Sequence, residues 1–206
     1  VTRDTEGATA GIVLAAGGGR RLGGRPKALL EHEGSPLVAH AVALARAAGC
    51  ARVHVVTGAG AERVRAAGER AGTAPEAWVH NPAWEAGMGS SLRAGLASLA
   101  GTGARAAVVL LVDQPGITPG AVARVLAAYE SPATLAAAAY GGERGHPVLL
   151  GAAHWPGVAA GASGDQGART YLREHAGEIR LVECGDLCDP YDIDTPEDLW
   201  RLRGTP

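Results

Sequence analysis

The stretch "LAAGGGRRLGGRPKALL", residues 14 to 30, carries an apolar segment into a glycine cluster with two adjacent arginines and then a Pro-Lys pair. Spacing separates the phosphate-binding loops that begin in this way. The dinucleotide fingerprint G-x-G-x-x-G fails, because counting from Gly17 puts Leu22 where the third glycine belongs. The P-loop pattern G-x-x-x-x-G-K-[ST] fails as well: Gly18 and Gly23 have the spacing, but Gly24 and Arg25 follow. What remains is a longer cradle of backbone N–H groups from Ala15 to Gly19, with Arg21 and Lys27 supplying positive charge to a triphosphate. A flexible turn with solvated arginines stands beside it as the plain alternative.

Outward from this loop, apolar β-branched runs alternate with Ala/Leu/Arg segments of helical period. That pattern predicts an α/β fold of successive βα units on a mainly parallel sheet, with helices on both faces. Strands are expected over Gly11–Ala16, Val53–Thr57, Ala77–His80, Ala106–Val112, Leu135–Tyr140 and Ile179–Glu183. Helices are expected over Pro36–Ala48, Ala61–Ala71, Ser91–Leu99, Pro119–Tyr129, Gln166–His175 and Pro196–Leu202. Ser35, Thr118 and Thr195 each precede a proline, so each is expected to cap a helix whose first turn does not need the missing N–H. The stretch from Gly141 to Gly167, with "GGERGHP", "HWPG" and "GASGDQG", reads as the least regular and a place for binding function.

Composition narrows the function classes. The 206 residues are 47% hydrophobic with a net charge of -2, which fits one domain over residues 11–206 and excludes a broad electrostatic grip on nucleic acid. The apolar run "AAVVLLV" is far short of the roughly 20 residues of a membrane span, so no membrane association is expected. The segment "VTRDTEGATAG" has neither the charge nor the apolar core of a secretory signal; residues 1–10 read as a flexible leader and the compartment as the cytoplasm. Cys50, Cys184 and Cys188 make an odd count without a second ligand pair for zinc.

Two acidic features complete the candidate site. In "VVLLVDQPGITP" a buried-type strand delivers Asp113 to its C-terminal end, the edge at which ligands of open α/β sheets gather and where the first strand delivers its glycines. A carboxylate there suits Mg²⁺, which takes a few carboxylate oxygens together with phosphates and water. In "DPYDIDTPEDLW", Asp192 and Asp194 alternate along an extended segment, so one can point to the site while the other turns away.

The motifs "LAAGGGRRLGGRPKALL", "NPAWEAGMGSSLRAGL", "VVLLVDQP", "GHPVLL", "GDQGAR" and "DIDTPEDL", in this order, resemble the MobA-like nucleotidyltransferases, and most closely their molybdenum cofactor cytidylyltransferase branch. The resemblance spans Gly11 to Leu202. It implies a Rossmann-like nucleotidyltransferase fold, a Mg²⁺-bound nucleoside triphosphate, and transfer of the nucleoside monophosphate to a phosphorylated acceptor such as molybdopterin. Carried onto this chain, Leu14, Ala15, Ala16 and Gly17 would hold the base and ribose, and Gly18, Gly19, Arg21 and Lys27 the triphosphate. Asp113 would be the main metal ligand, with Asp194 or Asp192 the second. Ser90 and Ser91 would meet the nucleotide at a helix start, or one would merely cap that helix. His146, Asp165 and Arg169 would face the acceptor, although Asp165 and Arg169 also have the spacing of a helical ion pair. "LAAG" in place of "LAGG" is similar to the cytidylyl-selective branch; the methyl of Ala16 narrows the room for a purine, which favours CTP over GTP.

Two other functions compete. One is transfer to a different small phosphorylated acceptor. The other is non-transferase: a carrier that delivers the cofactor to a molybdenum hydroxylase, or an oxidoreductase on this fold, for which no nicotinamide or flavin motif is visible.

Overall fold

The computed structural model describes residues 9–203. Nine strands and six α-helices follow one another as β1 (Thr9–Ala15), β2 (Glu31–His32), β3 (Ser35–Pro36), α1 (Leu37–Ala47), β4 (Arg52–Thr57), α2 (Ala61–Arg70), β5 (Ala77–His80), α3 (Met88–Ser98), β6 (Ala106–Leu111), α4 (Pro119–Leu126), β7 (Leu135–Tyr140), β8 (Glu143–Gly151), α5 (Trp155–Gly161), α6 (Arg169–Glu174) and β9 (Ile179–Glu183). Seven strands form one sheet in the order β5-β4-β1-β6-β8-β7-β9, while β2 and β3 make a separate small hairpin. Only β8 runs against its neighbours. The expected leader lies outside the described residues except for Thr9 and Ala10, which pair in β1 with β4 and β6.

The period-2 alternation of the strands builds two cores. Val13, Ala15, Val53, Val55, Val108 and Leu110 face α1, α2 and α4, whereas Ile12, Leu14, Val56, Ala107 and Val109 face α3, α5 and α6. Helices therefore cover both faces, as the alternating sequence pattern requires of a parallel sheet. Close approach of α3 to the sheet depends on Gly95, where a Cβ would come within 2.7 Å of Ile12 Cγ2.

Several local expectations are corrected. The strand β8 lies inside the stretch read as irregular, because Gly145 and Pro147 disguise it. Its register slips against β7 between Ala137 and Ala139, which pair with Val148 and Arg144, so the proline sits in a bulge where a ladder N–H is not needed. The same stretch holds α5. A two-residue turn at Gly141 and Gly142, both at positive φ (60° and 84°), joins β7 to β8, as a type I′ hairpin demands.

Of the three proline-linked caps, Thr118 behaves as expected, accepting the Ala121 N–H at 3.3 Å. Ser35 does not cap: it pairs with His32 in the β2–β3 hairpin, and α1 starts only at Leu37, with Pro36 in the cap position. Thr195 does not accept a cap hydrogen bond through its hydroxyl either. Its hydroxyl and its N–H both donate to the Asp198 carboxylate, at 2.9 and 2.8 Å, and Pro196–Arg203 is a 3-10 helix. Helix α3 begins at Met88, three residues before the expected Ser91, and α6 is shortened because Gly167, at φ 53°, breaks it from the turn Gly164–Gln166.

Candidate active site

Strands β1 and β6 are neighbours at the point where the chain switches direction across the sheet, and their C-terminal ends open a cleft of about 430 Å³. Leu14, Ala16 and Gly17–Gly19 line it from β1, Val112 and Asp113 from β6, with Arg20, Arg21 and Lys27 following the loop. Ala15 does not reach the cleft; its side chain is in the core. The loop is held from behind, since Ala16 O accepts the Ala59 N–H at 3.0 Å. Gly19 is in the left-handed region, and a Cβ there would fall on the Arg25 carbonyl oxygen. Among the described residues, the N–H groups of Gly17, Gly18 and Gly19 have no protein acceptor. Three free donors on one turn form a concave anion cradle.

Trp84 closes one wall of this cleft. A Cβ on Gly58 would lie within 2.6 Å of Trp84 Cγ, and one on Gly18 within 3.0 Å of its ring, so both glycines are spaces for the indole. Nearby, buried Asn81 ties the turn to α3: its Nδ2 donates to Ser90 Oγ at 2.8 Å and Ser91 Oγ at 3.0 Å. Ser90 in turn donates toward Ala83 O and Gly87 O. The hydroxyl of Ser90 is therefore spent on structure, whereas Ser91 lines the cleft; neither caps α3, whose cap residue is Gly87.

Opposite the glycines lies a charge cluster. Lys27 Nζ donates to Asp113 Oδ2 at 2.6 Å and also to Asp194 Oδ1, and Arg21 Nη1 stands 3.8 Å from Asp194 Oδ2. Burial alone would lower the Lys27 pKa, but the charge and hydrogen bond of Asp113, then those of Asp194, outweigh it and the pKa is raised. Asp194 is itself held in place by Asp198, whose carboxylate accepts the Asp194 N–H at 3.1 Å. Backbone donation from Thr195 and Asp194 and the Thr195 hydroxyl hold the Asp198 pKa below the usual carboxylate value.

Between the acidic pair, buried Ile193 donates its N–H to Asp113 O at 2.9 Å. The alternation about this anchor sends Asp194 into the first cleft and Asp192 into a second, of about 290 Å³. Asp192 accepts from Gln114 Nε2 at 2.8 Å. Burial raises its pKa against that bond, and the charges of Asp113 and Asp194 raise it further.

The second cavity adjoins the first, sharing Leu14, Met88, Leu111 and Asp165. It brings together all three expected acceptor residues, His146, Asp165 and Arg169, with Arg144 and Gln114 added. His146 is aimed there from the bulge in β8, and burial pushes its pKa down to about 4. Asp165 and Arg169 form no ion pair among the described residues: Gly167 breaks the helix that would have aligned them. Trp84, Asn81, Arg20, Asp198, Arg144 and Gln114 were not singled out from the sequence. For Asp198 a signal existed, the capping-box spacing T-x-x-D of "TPED".

Residues 11–179 match the MobA-like NTP transferase domain. The chain belongs to this family. Among curated relatives, nicotine blue oxidoreductase of Paenarthrobacter nicotinovorans is 41% identical over 199 residues, covering 93% of this chain and 95% of that protein. Molybdenum cofactor guanylyltransferase of Rhodobacter capsulatus is 34% identical, covering 94% of each. The crystal structure of a homologue of Mycobacterium tuberculosis Rv0371c, from Mycobacterium sp. strain JC1, superposes with TM-score 0.78 at 31% identity and covers 94% of both chains. The manganese complex of Rv0371c itself gives TM-score 0.71 at 30% identity over 94% of this chain and 97% of that one. The fold is thus the Rossmann-like one of nucleotidyltransferases.

MobA-like nucleotidyltransferases use a divalent metal, and the donor set here is compatible with one. Among the described residues no three His, Cys, Asp or Glu side chains are grouped to enclose an ion. Asp113 and Asp194 instead face one small cation between them, the Lys27 ammonium, beside an anion cradle. Two carboxylates completed by substrate phosphates are what a hard divalent ion takes in such sites. No helix among the described residues is long and apolar enough to cross a membrane.

Proposed function

We propose that this chain transfers CMP from CTP to the phosphate of a molybdopterin-type acceptor, releasing pyrophosphate and forming a cytosine dinucleotide. The observation that carries the reading is the Lys27–Asp113–Asp194 cluster facing the unpaired N–H groups of Gly17–Gly19 across one cleft. A second cavity, with Arg144 and Arg169 at its wall, adjoins it for the acceptor.

The chemistry needs no general base. A phosphate monoester has a second pKa near ~6, so the acceptor is already largely a dianion at neutral pH. One of its oxygens forms the bond to the α-phosphorus while the bond from that phosphorus to the pyrophosphate oxygen breaks. The chain's task is to bring two anions together in line and to neutralise them. The glycine N–H groups hold the triphosphate, and Arg21 and Lys27 stabilise the charge that grows on the leaving pyrophosphate. Asp113 and Asp194 would hold the divalent cation, taken as Mg²⁺, which supplies charge neutralisation at the phosphates. Asp192 belongs to the acceptor side in this scheme. Ala16, buried against the cleft, supports the smaller pyrimidine base. A molybdenum hydroxylase would be the recipient of the product.

Pyrophosphate release from CTP, GTP and ATP with Mg²⁺, each with and without molybdopterin, tests the reading. Release that requires CTP and molybdopterin together supports it in full. Preference for GTP would match the guanylyltransferase relative and overturn the pyrimidine assignment alone.

A second reading rests on one specific observation, the oxidoreductase relative at 41% identity over nearly the whole chain. On that reading the chain would act on nicotine blue, the compound in that relative's name. Bleaching of nicotine blue by reduced nicotinamide dinucleotide, with no pyrophosphate released from any triphosphate, would replace the transferase assignment.

A further inference from the structure

Lys27 is the feature whose position the transferase chemistry alone does not explain. A lysine that serves only the triphosphate would be expected to reach into the cleft toward the cradle, yet its ammonium is lodged between Asp113 and Asp194. Each carboxylate gives one oxygen to it. The lysine and Asp113 side chains are only 18% and 20% exposed, so solvent screens this contact less than it would a surface pair. Arg21, a second cation beside the cluster, is 75% exposed and stands 3.8 Å from Asp194.

From this geometry we infer that Lys27 is a tethered counter-ion that closes the metal site until nucleotide arrives. The inference rests on the assignment of Asp113 and Asp194 as the metal's carboxylates. A divalent ion arriving alone must displace an ammonium that is covalently part of the chain, hydrogen-bonded to both carboxylates and already neutralising half of their charge. A triphosphate changes the balance. Its negative charge beside the glycine N–H groups offers the ammonium another partner, and Lys27 can leave the carboxylates for the phosphates as the cation enters. The order of events follows: the chain ignores the free cation and accepts cation and nucleotide together. The same lysine thus guards the carboxylates in one state and contacts the polyanion in the other.

Removal of the ammonium should leave Asp113 and Asp194 facing each other without their bridging cation, an arrangement that demands a replacement. The test is a Mn²⁺ titration, with bound metal read by electron paramagnetic resonance, on the wild-type chain, Lys27→Met, and the double variant Lys27→Met/Asp113→Asn. Each is titrated with Mn²⁺ alone, with Mn²⁺ and CTP, and with Mn²⁺ and GTP. Lys27→Met keeps the unbranched stem of the side chain and removes the ammonium, and Lys27→Gln supplies a second, polar replacement; thermal melts confirm that each is folded. The expected result is that Lys27→Met and Lys27→Gln bind Mn²⁺ alone at least about tenfold more tightly than wild type, since one unit charge has left a weakly screened site. The double variant should lose that gain, and wild type should bind Mn²⁺ tightly only with nucleotide.

Equal affinity of wild type and both lysine variants for Mn²⁺ alone, with a gain from nucleotide in all of them, would overturn the counter-ion role while leaving the metal assignment intact. Absence of Mn²⁺ binding in every variant, with or without nucleotide, would overturn the metal assignment and the inference with it.

Discussion

The two cavities that meet at Leu14, Met88, Leu111 and Asp165 are built in contrasting ways. The first is built where two parallel strands of the central sheet end, from glycine N–H groups after one strand and the Asp113 carboxylate after its neighbour, with Lys27 and Asp194 facing them. The second is assembled from side chains on the antiparallel strand β8, its bulge, the short helix α6 and the glycine-broken segment before it. Backbone groups cannot be exchanged by substitution, whereas side chains on short, irregular elements can. On the proposed reading the nucleotide half thus relies on backbone groups that substitution leaves in place, and the acceptor half on side chains that substitution changes.

That contrast can be broken most forcefully at Asp113. Asp113→Asn should lower turnover by about 10³-fold or more, as loss of a principal charge-stabilising group does, while the thermal midpoint stays close to wild type. Near-normal turnover would remove the nucleotide half from the chemistry. Next in size is Gly58→Ala, which pushes a methyl into Trp84 and toward Ala16 O. It should cost about 2–3 kcal/mol in chemical denaturation, in the range of overpacked cores; an unchanged midpoint would mean that the indole is free to move.

On the proposed transferase reading, Arg169→Ala should raise the KM for the phosphorylated acceptor by about tenfold, ~1.4 kcal/mol, and leave that for CTP unchanged. Equal effects on both substrates would merge the two cavities into one site. The smallest effect concerns His146. Its pKa is about 4 in the fold against an ordinary 6.5, so the folded chain binds fewer protons than the unfolded chain between these values. Its contribution is present above pH 6.5 and is lost as pH falls toward 4. In His146→Gln the decline in stability across that window should be shallower by about 1 kcal/mol, discounted for partial exposure. Parallel curves for the two proteins would place the imidazole in solvent.

The same contrast explains what could be read from the sequence. The parallel strands announce themselves through local runs of β-branched residues, and the glycine loop and Asp113 follow directly at their ends. Asp192 and Asp194 declare their alternation, yet which cavity each serves depends on Ile193 packing into the core and bonding to Asp113 O, a contact across 80 residues of chain. Strand β8 stayed hidden because its proline and glycine are permitted only by a bulge against β7, which no local pattern encodes. Ser90, whose hydroxyl looked available, is taken up by Asn81, Ala83 and Gly87 once the turn before α3 closes. Trp84 gave no local sign of its place in the cleft, since the spaces it fills are at Gly18 and Gly58, remote in sequence.

The peptide centred on Ile193 has a mechanical consequence. Clamped to Asp113 by one hydrogen bond and buried at its side chain, it carries one carboxylate into each cavity on opposite sides of a single pivot. On either side of it, Gln114 holds the Asp192 carboxylate and Asp198 accepts the Asp194 N–H. Three consecutive residues thus furnish an acidic group to each chamber from a single backbone anchor.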